Sequence, residues 1–189
     1  MKASPIAAPG SGGPRSPTPA RQGPQHMLAW WRIPGRLGPM LAAQRGEALA
    51  ALCFEDAPAP GLARPVRELD ASAPPLVREA ARQIDEYLQG RRRAFELALD
   101  ARGGAFAQGV WRALAGLDYG ERIGYAGLAQ RMGLQARHAR AVGRAVGANP
   151  LLLLLPCHRV LGSDGSLRGY AGGLDRKRAL LELEAAGRN

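Results

Sequence analysis

An α+β fold is predicted: a small N-terminal α/β domain built on an antiparallel sheet, then a mostly helical C-terminal domain that carries a helix-turn-helix. Three observations predict it. Residues 27–56 hold short apolar runs split by Gly and Pro, the pattern of a small sheet. Residues 105–147 change to helical spacing, with apolar positions three and four apart. Between the two, "ARGGA" (101–105) reads as a flexible joint. A chain of 189 residues can build one good core or two small ones. The expected organisation is a tail at 1–25, an N-terminal domain at 26–102 and a C-terminal domain at 103–189.

The elements follow in order. Residues 1–25 are rich in Pro, Gly, Ser and Ala and read as a disordered tail. They lack the continuous apolar core of a signal peptide. "MLAWWRIP", "GPMLAAQ" and "EALAALCFED" supply the sheet, and residues 57–73 are Pro-rich and irregular. "PPLVREAARQIDEYLQG" (74–90) is a helix: Pro75 suits its first turn, Gly90 its end, and Leu76, Ala80, Ile84 and Tyr87/Leu88 share one face. "AFELALD" (94–100) alternates and predicts a further strand. "AFAQGVWRALAGL" (105–117) is a helix with Phe106, Val110, Trp111 and Leu114 on one face, and "DYGERIG" (118–124) a turn. "YAGLAQRM" (125–132) is a short helix ended by Gly133, and "ARHARAVGRAVG" (136–147) a second one. Two short helices joined by a brief Gly-containing turn suggest helix-turn-helix. The five leucines at 151–155 read as a strand buried on both faces.

Composition narrows the function. No stretch approaches the roughly 18–20 apolar residues of a membrane span, so a cytoplasmic protein without membrane contact is expected. Two cysteines, Cys53 and Cys157, and three histidines, His26, His138 and His158, show no ligand-pair spacing, so no metal is expected. There is no phosphate-binding glycine loop, dinucleotide fingerprint or metalloprotease helix. The formal net charge is +10. From Arg122 to Ser163 there is no Asp or Glu, but there are Arg122, Arg131, Arg137, Arg140, Arg144 and Arg159. Such a segment repels itself unless a polyanion meets it, which makes DNA the leading partner. Arg137, Arg140 and Arg144 form one helical stripe, with Val142 and Val146 opposite and Ala or Gly at most other positions. A basic stripe on a small-residue helix fits a DNA groove better than a core.

In "LLLLLPCHRVLG" (151–162) the most apolar run leads straight to a cysteine and a histidine. From these twelve residues alone, Cys157 is equally well a small core residue or a nucleophile. The surrounding pattern decides. In order the chain shows "VWRAL" (110–114), "YGERIGYAGLA" (119–129), "RAVGRAVGANP" (140–150), "PCHRV" (156–160), "GYAGGLDRK" (169–177) and "LLELE" (180–184). In these segments the chain resembles the methylated-DNA–protein-cysteine methyltransferases, the O6-alkylguanine-DNA alkyltransferase family. The resemblance is strong over about 106–186, weaker at "YLQGRRRAFELALD" (87–100) and faint before that. The chain departs from common family residues at Ala107, Gly124 and Ala171, and the zinc site of some animal members has no counterpart.

The resemblance implies a ribonuclease-H-like N-terminal domain and direct reversal of DNA damage. A methyl or larger alkyl group would pass from O6 of guanine in duplex DNA to Cys157, with O4 of thymine as a further candidate position. Each molecule would act once, as a monomer and without cofactor, because a thioether does not hydrolyse under mild conditions. His158 would take the thiol proton through a bridging water, with Glu184 holding the imidazole. From sequence alone Glu184 stands no higher than Glu182. Asn149 would brace the active-site turn, and Tyr125 would help turn the flipped nucleotide and polarise the leaving base. Arg140 would fill the gap left in the stack, in the minor groove, while Arg137 and Arg144 contact the backbone. The backbones of Cys157 and Val160 would accept from the guanine amine, and Tyr170, Ala171 and Gly172 would close over the base. This relay predicts a depressed Cys157 pKa. The rival readings are a non-enzymatic lesion-binding protein, which would lack the cysteine, a helix-turn-helix regulator, and a cysteine hydrolase, whose oxyanion motifs are missing.

Overall fold

The computed structural model describes residues 28–57 and 65–187; the tail expected at 1–25 lies outside the described residues. It forms an N-terminal sheet domain and a helical C-terminal domain, as expected. Strand β1 (Trp30–Ile33) pairs antiparallel with β2 (Met40–Arg45), Trp30 opposite Ala43 and Ile33 opposite Met40. A hairpin turn with Gly46 at φ 55° leads into β3 (Ala48–Phe54), and a bulge at Ala43/Gln44 adjusts the register. Only glycine takes that φ without strain.

One strand escapes the sequence reading. Residues 66–68, inside the stretch expected to be irregular, form β4 (Val66–Glu68), which runs parallel to β1. The sheet is therefore mixed, in the order β3-β2-β1-β4. Three residues are too short for a period-two pattern to show. The pairing is supported across the strands instead: Glu68 lies opposite Arg32 and is ion-paired with it.

Helix α1 (Pro75–Leu88) starts at a proline and is followed by Gly90 at φ 74°, as the rule of proline first and glycine after predicts. It packs Val77, Ala80, Ile84, Tyr87 and Leu88 toward the sheet. The strand expected at 94–100 does not form. This segment makes one parallel bridge, Leu99 to Leu49 of β3. Its backbone at Glu96 is taken instead by the buried Gln83 side chain, which accepts from the Glu96 N–H at 2.8 Å and donates to its carbonyl at 3.3 Å.

The C-terminal domain begins with α2 (Ala105–Ala115), which buries Val110, Trp111 and Leu114. Phe106, expected on that face, is exposed because it lies in the open first turn. A two-residue β5 (Ile123–Gly124) precedes α3 (Tyr125–Arg131). Gly133 at φ 75° and a single 3₁₀ turn, Ala136–His138, lead into α4 (Ala139–Gly147). Helices α3 and α4 pack on each other and on α2, and Trp111 Nε1 donates to the Ala145 carbonyl at 2.9 Å. Strand β6 (Val160–Leu161) pairs parallel with β5, and α5 (Leu174–Ala186) ends the described chain.

The leucine run is not a strand. All five leucines are buried, but only Leu151 bridges to Leu52 of β3; residues 152–155 turn tightly. The Leu154 N–H bonds back to the Leu152 carbonyl and the Leu155 N–H to the Leu151 carbonyl, both at 2.9 Å. Leu153 sits at φ 73°, a conformation leucine rarely takes. Left-handed backbone costs about 1–2 kcal/mol, whereas each buried leucine gains about 1.5–3 kcal/mol, so burial wins. The single bridge also covers part of the open edge of β3, tying this turn to the N-terminal sheet.

Candidate active site

The turn delivers Cys157 into a 3₁₀ turn, Cys157–Arg159, with all three side chains buried. Asn149 holds the entrance. Its Oδ1 accepts from the Leu151 N–H at 3.0 Å, and its Nδ2 donates to the Leu155 carbonyl at 2.8 Å and to Cys157 Sγ at 3.1 Å. An Asn side chain is suited to this, since it offers donor and acceptor on a short stem.

His158 follows in the same turn and is held by Glu184. Its Nε2 lies 2.8 Å from Glu184 Oε1. Its Nδ1 is buried without a hydrogen-bond partner among the described residues. A carboxylate accepts only, so Nε2 carries the proton and Nδ1 is the basic nitrogen. Glu184 lies one turn of α5 from the buried Leu180 and Leu181 and is itself buried, whereas Glu182 is exposed. The Arg159 guanidinium forks onto Glu184 at 2.8–3.1 Å, the Gly120 N–H reaches Oε2 at 2.9 Å, and the Tyr87 hydroxyl donates to Oε1. Arg159 also donates to the Leu117 carbonyl at 2.7 Å.

Burial sets the protonation states. It pushes the Cys157 thiol up to about 11, against the opposing pull of the Asn149 hydrogen bond and the Lys177 charge. The depressed value expected from sequence is therefore not found: the apolar wall outweighs the polar neighbours. Burial also lowers His158 below its ordinary value, although Glu184 opposes this. Burial pushes the Glu184 carboxyl up, but the hydrogen bonds from His158 and Arg159 prevail and hold it down at about 2. At neutral pH the site thus rests as a neutral thiol, a neutral imidazole and an Arg–Glu ion pair. A transient base at Nδ1 would have to create the thiolate as needed.

Of the remaining expected residues, Tyr125 and Tyr170 lie near the sulfur. Tyr125 is half-buried, and burial followed by the nearby Cys157 raises its pKa, so it stays a neutral hydroxyl. Tyr170 sets its ring edge-on to His158 at 6.4 Å, with its hydroxyl buried and unbonded among the described residues. Val160 is buried, and its carbonyl already accepts from Lys177 Nζ at 2.6 Å, which leaves one lone pair. Ala171 is exposed and Gly172 buried. A Cβ on Gly172 would meet the Phe54 and Tyr170 rings at 2.6 Å, so the loop can lie this close only with glycine. Arg176 fastens the loop to the sheet domain. It donates to the Gly172 and Leu37 carbonyls, pairs with Asp56 at 2.8 Å, and lies 4.1 Å over the Phe54 ring. Arg137, Arg140 and Arg144 are all exposed and Val142 and Val146 are buried, so the arginines face outward, but the helix expected over 136–147 is split: Arg137 lies in the 3₁₀ turn, and only Arg140 and Arg144 are on α4.

The structure thus brings Asn149, Cys157, His158 and Glu184 together in one buried cluster. Sequence reasoning missed Tyr87, Arg159 and Lys177. Arg159 and Lys177 are buried charged residues beside recognisable motifs, but Tyr87 meets Glu184 across 97 positions, a contact no local pattern reports. Among the described residues no group of His, Cys, Asp and Glu could hold a metal, and no helix is long and apolar enough to cross a membrane.

Residues 105–186 match the family model described as 6-O-methylguanine DNA methyltransferase, DNA binding domain, and residues 33–101 the ribonuclease-like domain of the same proteins. The chain is 39% identical over 158 residues to the methylated-DNA–protein-cysteine methyltransferase of Mycobacterium tuberculosis, covering 84% of this chain and 93% of that one. It is similar to the crystal structure of the M. tuberculosis O6-methylguanine methyltransferase, with a TM-score of 0.76 and 38% identity, over 86% of this chain and 96% of that one. The structure of the M. tuberculosis protein in complex with DNA matches with a TM-score of 0.75 and 38% identity, over 84% and 94% of the two chains.

Proposed function

This chain belongs to the methylated-DNA–protein-cysteine methyltransferase family, and from that membership we propose that it repairs alkylated DNA by moving the alkyl group of O6-alkylguanine onto Cys157, once per molecule. The observation that carries the reading is the buried cluster of Asn149, Cys157, His158 and Glu184, with a basic Nδ1 and an outward arginine stripe on the neighbouring helix. A lesion-binding protein without chemistry needs no cysteine held in this way. The protein acts on duplex DNA, as a monomer in the cytoplasm, with its domain boundary at 102/103.

The steps balance without a cofactor. The nucleotide is extruded, at a cost of a few kcal/mol that a poorly paired base reduces. The Cys157 proton passes through water to His158 Nδ1, and Glu184 stabilises the resulting imidazolium. The sulfur attacks the alkyl carbon, the C–O bond breaks, and its electron pair leaves with the base. The neutral Tyr125 hydroxyl stabilises that charge, and solvent reprotonates the base. Asn149 aims the sulfur, while Tyr170, Ala171, Gly172 and the free lone pair of Val160 hold the base. The test is transfer of label from a duplex bearing radiolabelled O6-methylguanine: one methyl per chain is expected, and repeated turnover would overturn the reading.

The arginines divide into two roles. Replacing Arg137 or Arg144 by Ala should weaken binding to every duplex and flatten its salt dependence by about one unit of slope for each phosphate that is no longer neutralised. Arg140→Ala should spare much of the binding yet slow repair in duplex DNA, because the vacated stack loses its wedge. Reaction with free O6-benzylguanine should stay near wild type. Equal reductions on duplex and free base would remove the wedge role from Arg140.

A further inference from the structure

Tyr87 sits on α1, in the sheet domain, and is fully buried. The transfer proposed above assigns it nothing. For packing alone a phenylalanine would serve, since burying a hydroxyl costs unless it is bonded. Here the hydroxyl donates to Glu184 Oε1 and stands 3.4 Å from His158 Nε2. Its ring is wedged between Phe95, at 5.0 Å, and Tyr119, edge-on at 5.9 Å, so the hydroxyl has little freedom to point elsewhere.

The acceptor sites of Glu184 are all in use. Oε1 takes Tyr87, His158 and Arg159, and Oε2 takes Gly120 and Arg159. A carboxylate offers about four lone-pair sites, so each donor fixes the orientation in which the others are met. From this geometry we propose that Tyr87 is a positioning residue for the alkyl transfer: its hydroxyl pins Glu184 Oε1, and through it holds the His158 ring with Nε2 protonated and Nδ1 free. The sheet domain thereby completes the relay. The inference rests on the relay reading given above.

The charged and titratable groups facing this hydroxyl are Glu184 on α5, His158 and Arg159 in the 3₁₀ turn, and Tyr119 before β5; Lys177 acts on His158 from α5. Burial and then the Glu184 charge push the Tyr87 pKa well up, so it donates throughout the working pH range. Removing that donor leaves the Glu184 oxygen a stronger acceptor for Nε2–H, which raises the His158 pKa. In Tyr87→Phe the alkylation rate at neutral pH should fall about tenfold, the size of effect typical when the partner behind a reacting side chain is removed. The acid limb of the rate–pH profile should move to higher pH, with DNA affinity unchanged. Ile84→Val, which trims a buried side chain of the same helix that has no part in holding the hydroxyl, should lower Tm and leave the profile in place.

If Tyr87→Phe lowers Tm but keeps the wild-type rate and acid limb, Tyr87 only packs and the proposal fails. His158→Ala in the same series separates the two readings: were it to keep the wild-type profile, the relay itself would fall. Nitrogen NMR of the wild-type imidazole needs no variant. It should find Nε2 protonated and Nδ1 not, and the opposite tautomer would overturn the assignment.

Discussion

Cys157→Ala should bind duplex DNA containing O6-methylguanine about as well as the wild type and transfer no methyl group at all. Cys157 is buried, so replacing it changes little of the surface a duplex can meet, and affinity has no reason to change. Folding should also survive. Asn149 Nδ2 keeps one of its two N–H groups on the Leu155 carbonyl at 2.8 Å, and the other loses only a weak sulfur acceptor. Transfer should vanish, because the Asn149 hydrogen bond and the adjacent His158 belong to Cys157, whereas the other cysteine, Cys53, is buried within β3. Peptide mass spectrometry after reaction of the wild type should find one added methyl on the peptide containing "PCHRV". A methyl on Cys53, or residual transfer by Cys157→Ala, would displace Cys157 as the acceptor.

The second large effect concerns pH. In the wild type, neutral His158 is the base, and burial keeps its pKa below the ordinary 6.5. The rate should therefore be flat near pH 7 and fall only as the pH drops through that lowered value. His158→Ala removes the base and leaves a thiol that burial holds above its ordinary pKa. Its rate should be depressed about 10²–10⁴-fold at neutral pH, the usual worth of a general base. It should also climb steadily with pH as far as the duplex stays intact, because only hydroxide remains to ionise the sulfur. Single-turnover alkylation rates against pH measure both limbs. An unchanged profile in His158→Ala would end the relay, and equal, negligible effects of Glu184→Gln and Glu182→Gln would withdraw Glu184 from it.

The C-terminal chemistry was legible because it is written locally. Arg140 and Arg144 declare their outward face by helical spacing alone, and "PCHRV" and "GYAGG" stand in short segments. The leucine run misled because leucine content reports burial, not backbone. The real signal was Asn149-Pro150, whose side chain turns the backbone at Leu151 before any ladder can form. The sign of the Cys157 shift was also out of reach, since motif residues name the base but not the thickness of apolar wall around the sulfur. Tyr87 lay further still: a helix-face tyrosine looks the same whether its hydroxyl ends in solvent or on a carboxylate from the far end of the chain.

The resting state of the thiol has a consequence for a protein that can be used only once. With a pKa of about 11, on the order of one molecule in ten thousand carries the thiolate at pH 7. The thiolate is the form that peroxides and dissolved alkylating agents attack. Both the burial of Sγ and its retained proton therefore shield it from them. A chain with a permanently ionised cysteine would be consumed by the same chemicals that damage the DNA, before it met a lesion. Keeping the proton until a base is in place makes the sulfur selective in time as well as in space.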